Sequence, residues 1–514
     1  MSEQGQRQFE YGNLLYGRNT IYSSVDEITA DNVIEELNSV LVIHAKNYLA
    51  EDYLYWFRRG LQDIRYRTKK VRDDIMNIVT ENHAAEIVDF KNGYFLTQPA
   101  YYIARNENKT TTKNVEKLNE YLYRSGKQQV DNEITDWFHT VGKAALYIEP
   151  SNDKNTPVNV YALDPRSAFV VYSLRPGNEP VMGVNIVCND KKVTFDVYTK
   201  DRYFKISGGV TGIAITEYPN FFATAINIEE ERPNILGEIP IIEYRYNTVN
   251  MASFEAVIPL LNAINKVMSN RIDGIEQFIQ SLAIAVNCEF EDENTTANDI
   301  RKAGMLCLKS IGENKADFKI LSEQLNQSET QTLVNYMYKQ VLTICGMPDT
   351  TKGGFSSSDT GAAVLARDGW FQADNVARNT EDEFKKANRR FDKIFLDILR
   401  KKVNLKLDTT DFELQFVRNE TANVQSKAQA CQTLLAAGLS PILAFGKSGI
   451  SNDPVADVEM SKPYLNMIWG DPFKEEITTD NTDTTTIETP FTEGEAEIVE
   501  SDSDNGENDT GGAV

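Results

Sequence analysis

The chain has 514 residues, 41% of them hydrophobic, with 76 acidic against 53 basic side chains and a formal charge of −23. That is more chain than one core usually organises, so several lobes are expected. The acidity argues against a conventional nucleic-acid binder, which clusters Lys and Arg on phosphates, and no apolar run approaches the roughly 18 residues of a membrane span.

Residues 1 to 23 form a polar arm with a few aromatics, and its start, MSEQGQRQFEYGN, lacks the apolar region of a signal peptide. The cysteines at 188, 288, 307, 345 and 431 are scattered and form no CxxC, which fits a reducing compartment. A protein that is intracellular when made is expected. Ser24 and Glu27 have capping-box spacing ahead of a helical stripe of Val33, Ile34, Leu37, Val40, Leu41 and Leu49. A second helix is predicted from about Thr68 to Lys91, with Val71, Ile75, Ile78 and Val79 on one face and Gly93 as its stop. Helical patterns follow at Val115 to Tyr123 and Val130 to Val141.

From Ala144 to Tyr246 the texture changes to β-branched and aromatic runs separated by turn signals: AALYIEP, VNVYAL, AFVVYSL, VMGVNIV, TFDVYT, GIAITEY and IPIIEYRY. This predicts a β-rich lobe. Phe254 to Leu282 returns to a helix of about 45 Å with Val257, Leu261, Ile264, Met268, Ile272, Ile275 and Ile279 on one stripe. Alternation at Ile284, Val286, Cys288 and Phe290 then marks a strand. A short helix at Asn298 to Ala303 and strands at Met305 to Leu308 and Phe318 to Leu321 complete a small α/β insertion, and another helix begins near Ser328. An insertion between two antiparallel helices is held away from the body, which suggests a docking surface; a decorative insertion is the plain alternative.

Gly346 and Pro348 close that helix, because Gly accepts left-handed geometry and Pro cannot extend the ladder. The following stretch, DTTKGGFSSSDTG, is rich in Gly, Ser, Thr and Asp and reads as a mobile loop. Asp359 or Thr360 would cap a rod of about 60 Å running from Gly361 to about Lys402, with Gly369 as a kink. A strand in DFELQFVR, a helix from Val424 to Ala437 ended by Gly438, and a helix from Val455 to Trp469 with Pro454 at its first position follow. From Asp471 to Val514, six Asp and eight Glu face one Lys, so this aperiodic stretch carries −13 of the total charge and is expected to be disordered.

Catalytic signatures are weak. PILAFGKS at 441 to 448 approaches GxxxxGK[ST] but has Pro441 in place of the first Gly and follows a helix instead of a strand. His44, His83 and His139 fall in helical patterns without metal-ligand spacing, so packing or hydrogen bonding explains them. No enzyme activity and no cofactor are expected. The basic stretch Tyr55 to Arg72 mixes aromatics with Arg and Lys, but Asp63, Asp73 and Asp74 dilute it, favouring a solvated or intersubunit salt-bridging face over DNA contact. Lys385, Lys386, Arg389, Arg390 and Lys393 read as the polar side of the long helix, available to acids of a neighbouring subunit.

Several segments carry a resemblance. NHAAEIVDFKNGYFLTQPAYY at 82 to 102, VYALDPRSAFVVYS at 160 to 173, LGEIPIIEYRYN before the helix after Ser253, TGAAVLARDG, and AGLSP with NDPVADVE occur in the order found in tailed-phage portal proteins of the SPP1-like family, which the chain resembles. The resemblance implies an α+β, ring-forming fold. Residues 1–253 would be an N-terminal arm and mixed α/β wing, 254–284 and 327–345 long stem helices, and 285–326 an inserted α/β clip. The tunnel loop would be 346–360, the long wing helix and return strand 361–418, a helical crown 419–470, and the acidic tail 471–514. It implies a head-tail connector, dodecameric in this family, at one capsid vertex, through which double-stranded DNA is packaged and ejected. Implied partners are the terminase large subunit, a head-completion or adaptor protein, and scaffolding and major capsid proteins. The rivals are a terminase-type packaging ATPase and another virion structural protein such as a capsid or tail subunit.

Residues expected to face DNA in the tunnel loop are Thr350, Thr351, Lys352, Gly353, Gly354, Phe355, Ser356, Ser357 and Ser358. Lys352 with the amides of Gly353 and Gly354 is the candidate for a transient phosphate contact, with a merely solvated Lys352 as the alternative. Clip docking is expected at Glu289, Glu291, Asp292, Glu293, Arg301 and Lys302. A conduit must avoid gripping its cargo, which suits net acidity with sparse cations near the axis.

Overall fold

The computed structural model describes residues 16–69, 73–105, 108–189, 192–210, 223–279, 282–286, 288–289, 309–310, 317–321, 327–349, 369–416, 424–451 and 454–469. The fold is mixed helix and strand. Contacts divide the chain into Met1–Glu459 and Met460–Val514, the second represented among the described residues by the latter part of one helix.

The elements before the long helices are β1 (Ile21–Ser23), α1 (Val33–Arg58), α2 (His83–Phe95), β2 (Tyr101–Ala104), α3 (Lys109–Arg124) and α4 (Lys127–Val141). Strands follow as β3 (Lys143–Pro150), β4 (Val158–Leu163), β5 (Ala168–Ser173), β6 (Pro180–Asn189), β7 (Lys192–Tyr198), β8 (Arg202–Val210), β9 (Ala223–Pro233) and β10 (Ile241–Arg245). Then come α5 (Ile258–Ile279), β11 (Leu282–Val286), β12 (Cys288–Glu289), β13 (Lys309–Ser310), β14 (Asp317–Leu321) and α6 (Gln327–Cys345). The last are α7 (Trp370–Val403), β15 (Phe412–Gln415), α8 (Val424–Ala436), α9 (Pro441–Ser448) and α10 (Pro454–Trp469).

Three large apolar cores and a small fourth cluster between β3, β5 and β10 organise the described residues. In the first, Val33, Leu37, Val40 and Leu41 of α1 cover a six-stranded sheet in the order β1-β5-β6-β7-β8-β9, against Phe169, Met182, Val184, Phe195 and Phe204. The sheet is an antiparallel meander except for β1, which pairs parallel with β5. Its last strand would offer an open edge, and Asn38 of α1 blocks part of it: the side-chain amide donates to Ala225 O (3.1 Å) and accepts from Ala225 N (2.9 Å). A carboxamide thereby stands in for a neighbouring strand. In the second core, α4 and α7 cover one face of the β10-β3-β4 sheet, with Phe138, Leu146, Ile148, Tyr244, Phe384, Phe391 and Phe395 buried together, while Ala145 and Ile241 on the other face meet Ala168, Val170 and Tyr172 of β5. The third joins the end of α1 (Leu54, Phe57) to α2 (Ala84, Ile87, Val88), α5 (Leu261, Ile264) and α6 (Val341, Leu342).

Several expectations need correction. The helix predicted from Thr68 does not form: after a short turn at Asp63–Tyr66 the described residues 67–69 and 73–82 are not helical, and α2 begins only at His83 and runs past Gly93 to Phe95. The reason lies in α5, whose Asn265, Ser269 and Asp273 are buried at four-residue spacing. They accept the backbone amides of Glu81 (2.8 Å), Val79 (3.0 Å) and Asn77 (2.7 Å). Four helical residues rise about 6 Å and two extended residues about 6.6 Å, so the two periods match and an extended strap lies along the helix. This tertiary pairing overrides the helical period, leaving Ile75 buried and Ile78 exposed.

The Ser24–Glu27 capping box is also absent, since Ser23 Oγ turns to Val25 and α1 starts at Val33. Helix α5 ends at Ile279, short of the predicted Leu282, where β11 begins. Gly369, at φ +86°, immediately precedes α7, and the part of the predicted rod before it, 361–368, lies outside the described residues. Strands β1, β2, β8 and β9 escaped the sequence reading. GIAITEY, the short helix at 298–303, the strand at 305–308 and the caps at Asp359 and Thr360 lie outside the described residues.

Helices α5 and α6 run antiparallel. Leu261 and Ile264 near the start of α5 share a core with Val341 and Leu342 near the end of α6, while at the other end Arg271 Nη1 donates to Gln331 Oε1 (2.6 Å). Beyond that end β11 pairs antiparallel with β14, and β12 with β13. Among the described residues no helix is long and apolar enough to cross a membrane.

Candidate functional site

The site is the root of the 350–368 segment, where α6 ends and α7 begins. Leu342 to Met347 close α6 in a Schellman motif: Met347 N donates to Leu342 O (2.8 Å), Gly346 N donates to Thr343 O (3.2 Å), and Gly346 takes φ +65°. A Cβ on Gly346 would meet Val376 Cγ2 of α7 at 2.8 Å, so the residue must be Gly both for its backbone and for close approach. On the return side, a Cβ on Gly369 would lie 3.9 Å from Met347 O and from Pro348 Cα. The chain therefore comes back to the place it left.

Helix α2 is the footing under both ends. Lys91 is buried, and its Nζ donates to Cys345 O (2.7 Å), a carbonyl that the Schellman bonds leave over. Phe90 and Tyr94, one turn apart on α2, pack on Trp370, the first residue of α7, with ring centroids 6.2 and 6.0 Å apart. The opposite side of α2 is tied to α1 and α4. Asn82 caps α2 by accepting from Ala85 N and donates to Arg58 O (2.7 Å). Arg58 pairs with Asp89 (3.0 Å) and Asp136 (2.5 Å), and Asn92 donates to Asp136 Oδ1 (2.7 Å). The segment NHAAEIVDFKNGYF, singled out in the sequence, is thus the clamp between these helices and the loop root.

The histidines are structural. His139 Nδ1 bonds Asn92 Oδ1 (2.7 Å), and burial, with Lys91 and Arg58 nearby, holds its imidazole well below the ordinary value, so it is neutral. His44 stacks on Phe169 and bonds Arg166 O through Nε2 (2.9 Å); burial and Lys143 push it down to about 3. Burial works against protonation of His83 too, but Glu86 (2.7 Å) and Glu81 (3.1 Å) outweigh it and raise its value. Glu86 also accepts from Tyr338 OH of α6 (2.5 Å), joining α2 to that helix.

Most residues named for DNA or partner contact lie outside the described residues: Thr350 to Ser358, Lys352 included, and Glu291, Asp292, Glu293, Arg301 and Lys302. Glu289 lies in β12 opposite Lys309 of β13. Much of the basic stretch from Tyr55 is taken up by pairing within the chain, while Arg65 is exposed and Lys70 and Arg72 lie outside the described residues. Besides Arg58, Arg67 (2.8 Å) and Lys69 (3.2 Å) both pair with Asp273, and Arg59 lies 4.2 Å over the Tyr55 ring. On α7, Lys393 pairs with Glu238 (2.5 Å) and Arg390 faces the Tyr172 ring at 5.5 Å, so these cations too find partners within the chain. Lys91 was missed as a site residue, although its place at helical spacing between Ala84, Ile87, Val88 and Phe95 was the visible signal.

PILAFGKS is helix α9, with Ser440 as N-cap accepting from Leu443 N (3.4 Å), so it cannot form the phosphate-cradling turn that an ATPase would need there. Among the described residues no group of three or more His, Cys, Asp or Glu is arranged to hold a metal.

A comparison with curated proteins gives no match. A model of the family described as phage portal protein, SPP1 Gp6-like, matches residues 41–442, which include the α2 clamp, the α5–α6 hairpin, the loop root and α7. The chain therefore belongs to the SPP1 Gp6-like family of phage portal proteins and is a component of the virion capsid.

Proposed function

We propose that the chain assembles into a closed ring, dodecameric in the virion, at one capsid vertex, and that double-stranded DNA enters and leaves through its centre. The observation that carries this reading is the loop root: a segment of Gly, Ser and Thr leaves and returns at one point between two long helices. Helices α5 and α6 serve as the stem, residues 285–326 as the clip, 346–360 as the tunnel loop, the lobes before residue 253 with α7 as the wing, and 419–470 as the crown. The clip docks the terminase large subunit during packaging and an adaptor afterwards, while scaffolding and major capsid proteins meet the ring's periphery. The protein is made in the host cytoplasm and works without catalysis of its own.

Exposed apolar side chains support the ring. Ile272 and Ile275 on α5, and Leu333, Tyr336 and Ile344 on α6, are 39 to 61% exposed in the single chain. A neighbouring copy related by rotation would cover them. Negative-stain images of the purified protein are expected to show closed rings with a central hole, and Tyr336→Glu to shift the particles to smaller species. Lys352→Glu should leave rings intact and impair DNA packaging. Solitary particles of the parent chain would refute the ring, and normal packaging by Lys352→Glu would remove the phosphate contact.

A further inference from the structure

We propose that Lys91 is a positioning residue for DNA passage: its ammonium fixes where α6 ends and so sets the place from which the chain turns towards the channel. This rests on reading 346–360 as the tunnel loop. Lys91 is 7% exposed, and among the described residues its ammonium has no carboxylate partner. A lone buried ammonium is costly, and a Met or Leu of similar length would pack there more cheaply. What Lys91 gains is Cys345 O at 2.7 Å, at the negative end of the α6 dipole, and the face of Tyr246 at 5.7 Å. The Schellman bonds occupy the Leu342 and Thr343 carbonyls and leave Cys345 O open to an outside donor. The next residue, Asn92, bonds Asp136 and His139 of α4. A single turn of α2 therefore registers the end of α6 against the lobe built on α4.

The test uses the full-length assembled protein. Lys91→Met keeps the volume and removes the charge, so rings should form and the thermal midpoint should stay close to the parent's. Hydrogen exchange at the amides of Gly346 and Met347 should rise about tenfold or more, as expected when one charge-assisted hydrogen bond that holds a local closure is lost. Packaging should fall towards the level of Lys352→Glu. If Lys91→Met fails to assemble, Trp370→Leu tests the other footing, with faster exchange at Gln372 and Ala373 and reduced packaging expected.

Unchanged exchange at Gly346 and Met347 overturns the proposal. So does exchange that rises evenly through α2 and α6 with a lower midpoint, which marks a merely structural lysine. Normal packaging by Lys91→Met while Lys352→Glu fails also overturns it and leaves the tunnel-loop reading standing. Normal packaging by both variants would instead count against the tunnel-loop reading, while the exchange result still judges whether Lys91 pins the root.

Discussion

Lys143→Met is expected to lower the free energy of unfolding by about 3 to 5 kcal/mol at neutral pH, because it strands a carboxylate with almost no access to water. Lys143 at the start of β3 and Glu51 of α1 approach to 3.1 Å with side chains 3% and 0% exposed. Burial raises the pKa of Glu51, and Lys143 and then Arg18 oppose that rise. Without Lys143 the opposition weakens and Glu51 binds its proton more tightly when folded than when unfolded. Stability of the variant should therefore recover as pH is lowered. Chemical denaturation at pH 5 and pH 8 measures this, and an equal loss at both would contradict it. Adding Glu51→Leu should restore most of the loss at pH 8, since removing both charges leaves an apolar contact where removing one leaves an uncompensated ion.

Asp392→Asn is expected to stabilise the protein by about 2 kcal/mol at pH 8 and to have little effect near pH 4. Asp392 of α7 accepts from Tyr102 OH and from Asn388 Nδ2 (3.1 Å), while Tyr244 OH donates to Asn388 Oδ1 (3.0 Å). Burial pushes its carboxyl up to about 7, against the hydrogen bonds from Tyr102 and Asn388 and the field of Lys127. A carboxyl raised in the folded state holds a proton that the unfolded chain has released. Its contribution is therefore fully present below the ordinary value near 4 and is lost as pH rises through about 7. Asn keeps an acceptor for Tyr102 and carries no charge to desolvate. The melting temperature of the variant relative to the parent, followed from pH 5 to pH 8, reads the effect; a constant difference across that range would exclude Asp392 as its source.

The parts of the fold set by local rules were legible. VNVYAL is β4 residue for residue, and Gly346, Gly438 and Pro454 stand at the helix ends the sequence gives them. In these cases a side-chain period of two, a left-handed Gly or the missing amide of Pro acts on its immediate neighbours and needs no partner. The ordered segments of the family resemblance could also be read before any geometry was known.

What required the tertiary structure was every choice made by a distant partner. The segment from Thr68 had a helical period, yet Asn265, Ser269 and Asp273 hold it extended from nearly two hundred residues away. The charges of Arg58, Arg67 and Lys69 suggested a surface face, but Asp89, Asp136 and Asp273 were already waiting in the fold. Lys91 stood only at the end of a predicted helix, and its role came from Cys345, 254 positions later, whose carbonyl it meets. Sequence thus determined the helix ends marked by Gly346, Gly438 and Pro454 and the family to which the chain is kin. Three-dimensional packing decided which polar groups meet, because the cost of burying them is set by partners that local sequence does not contain.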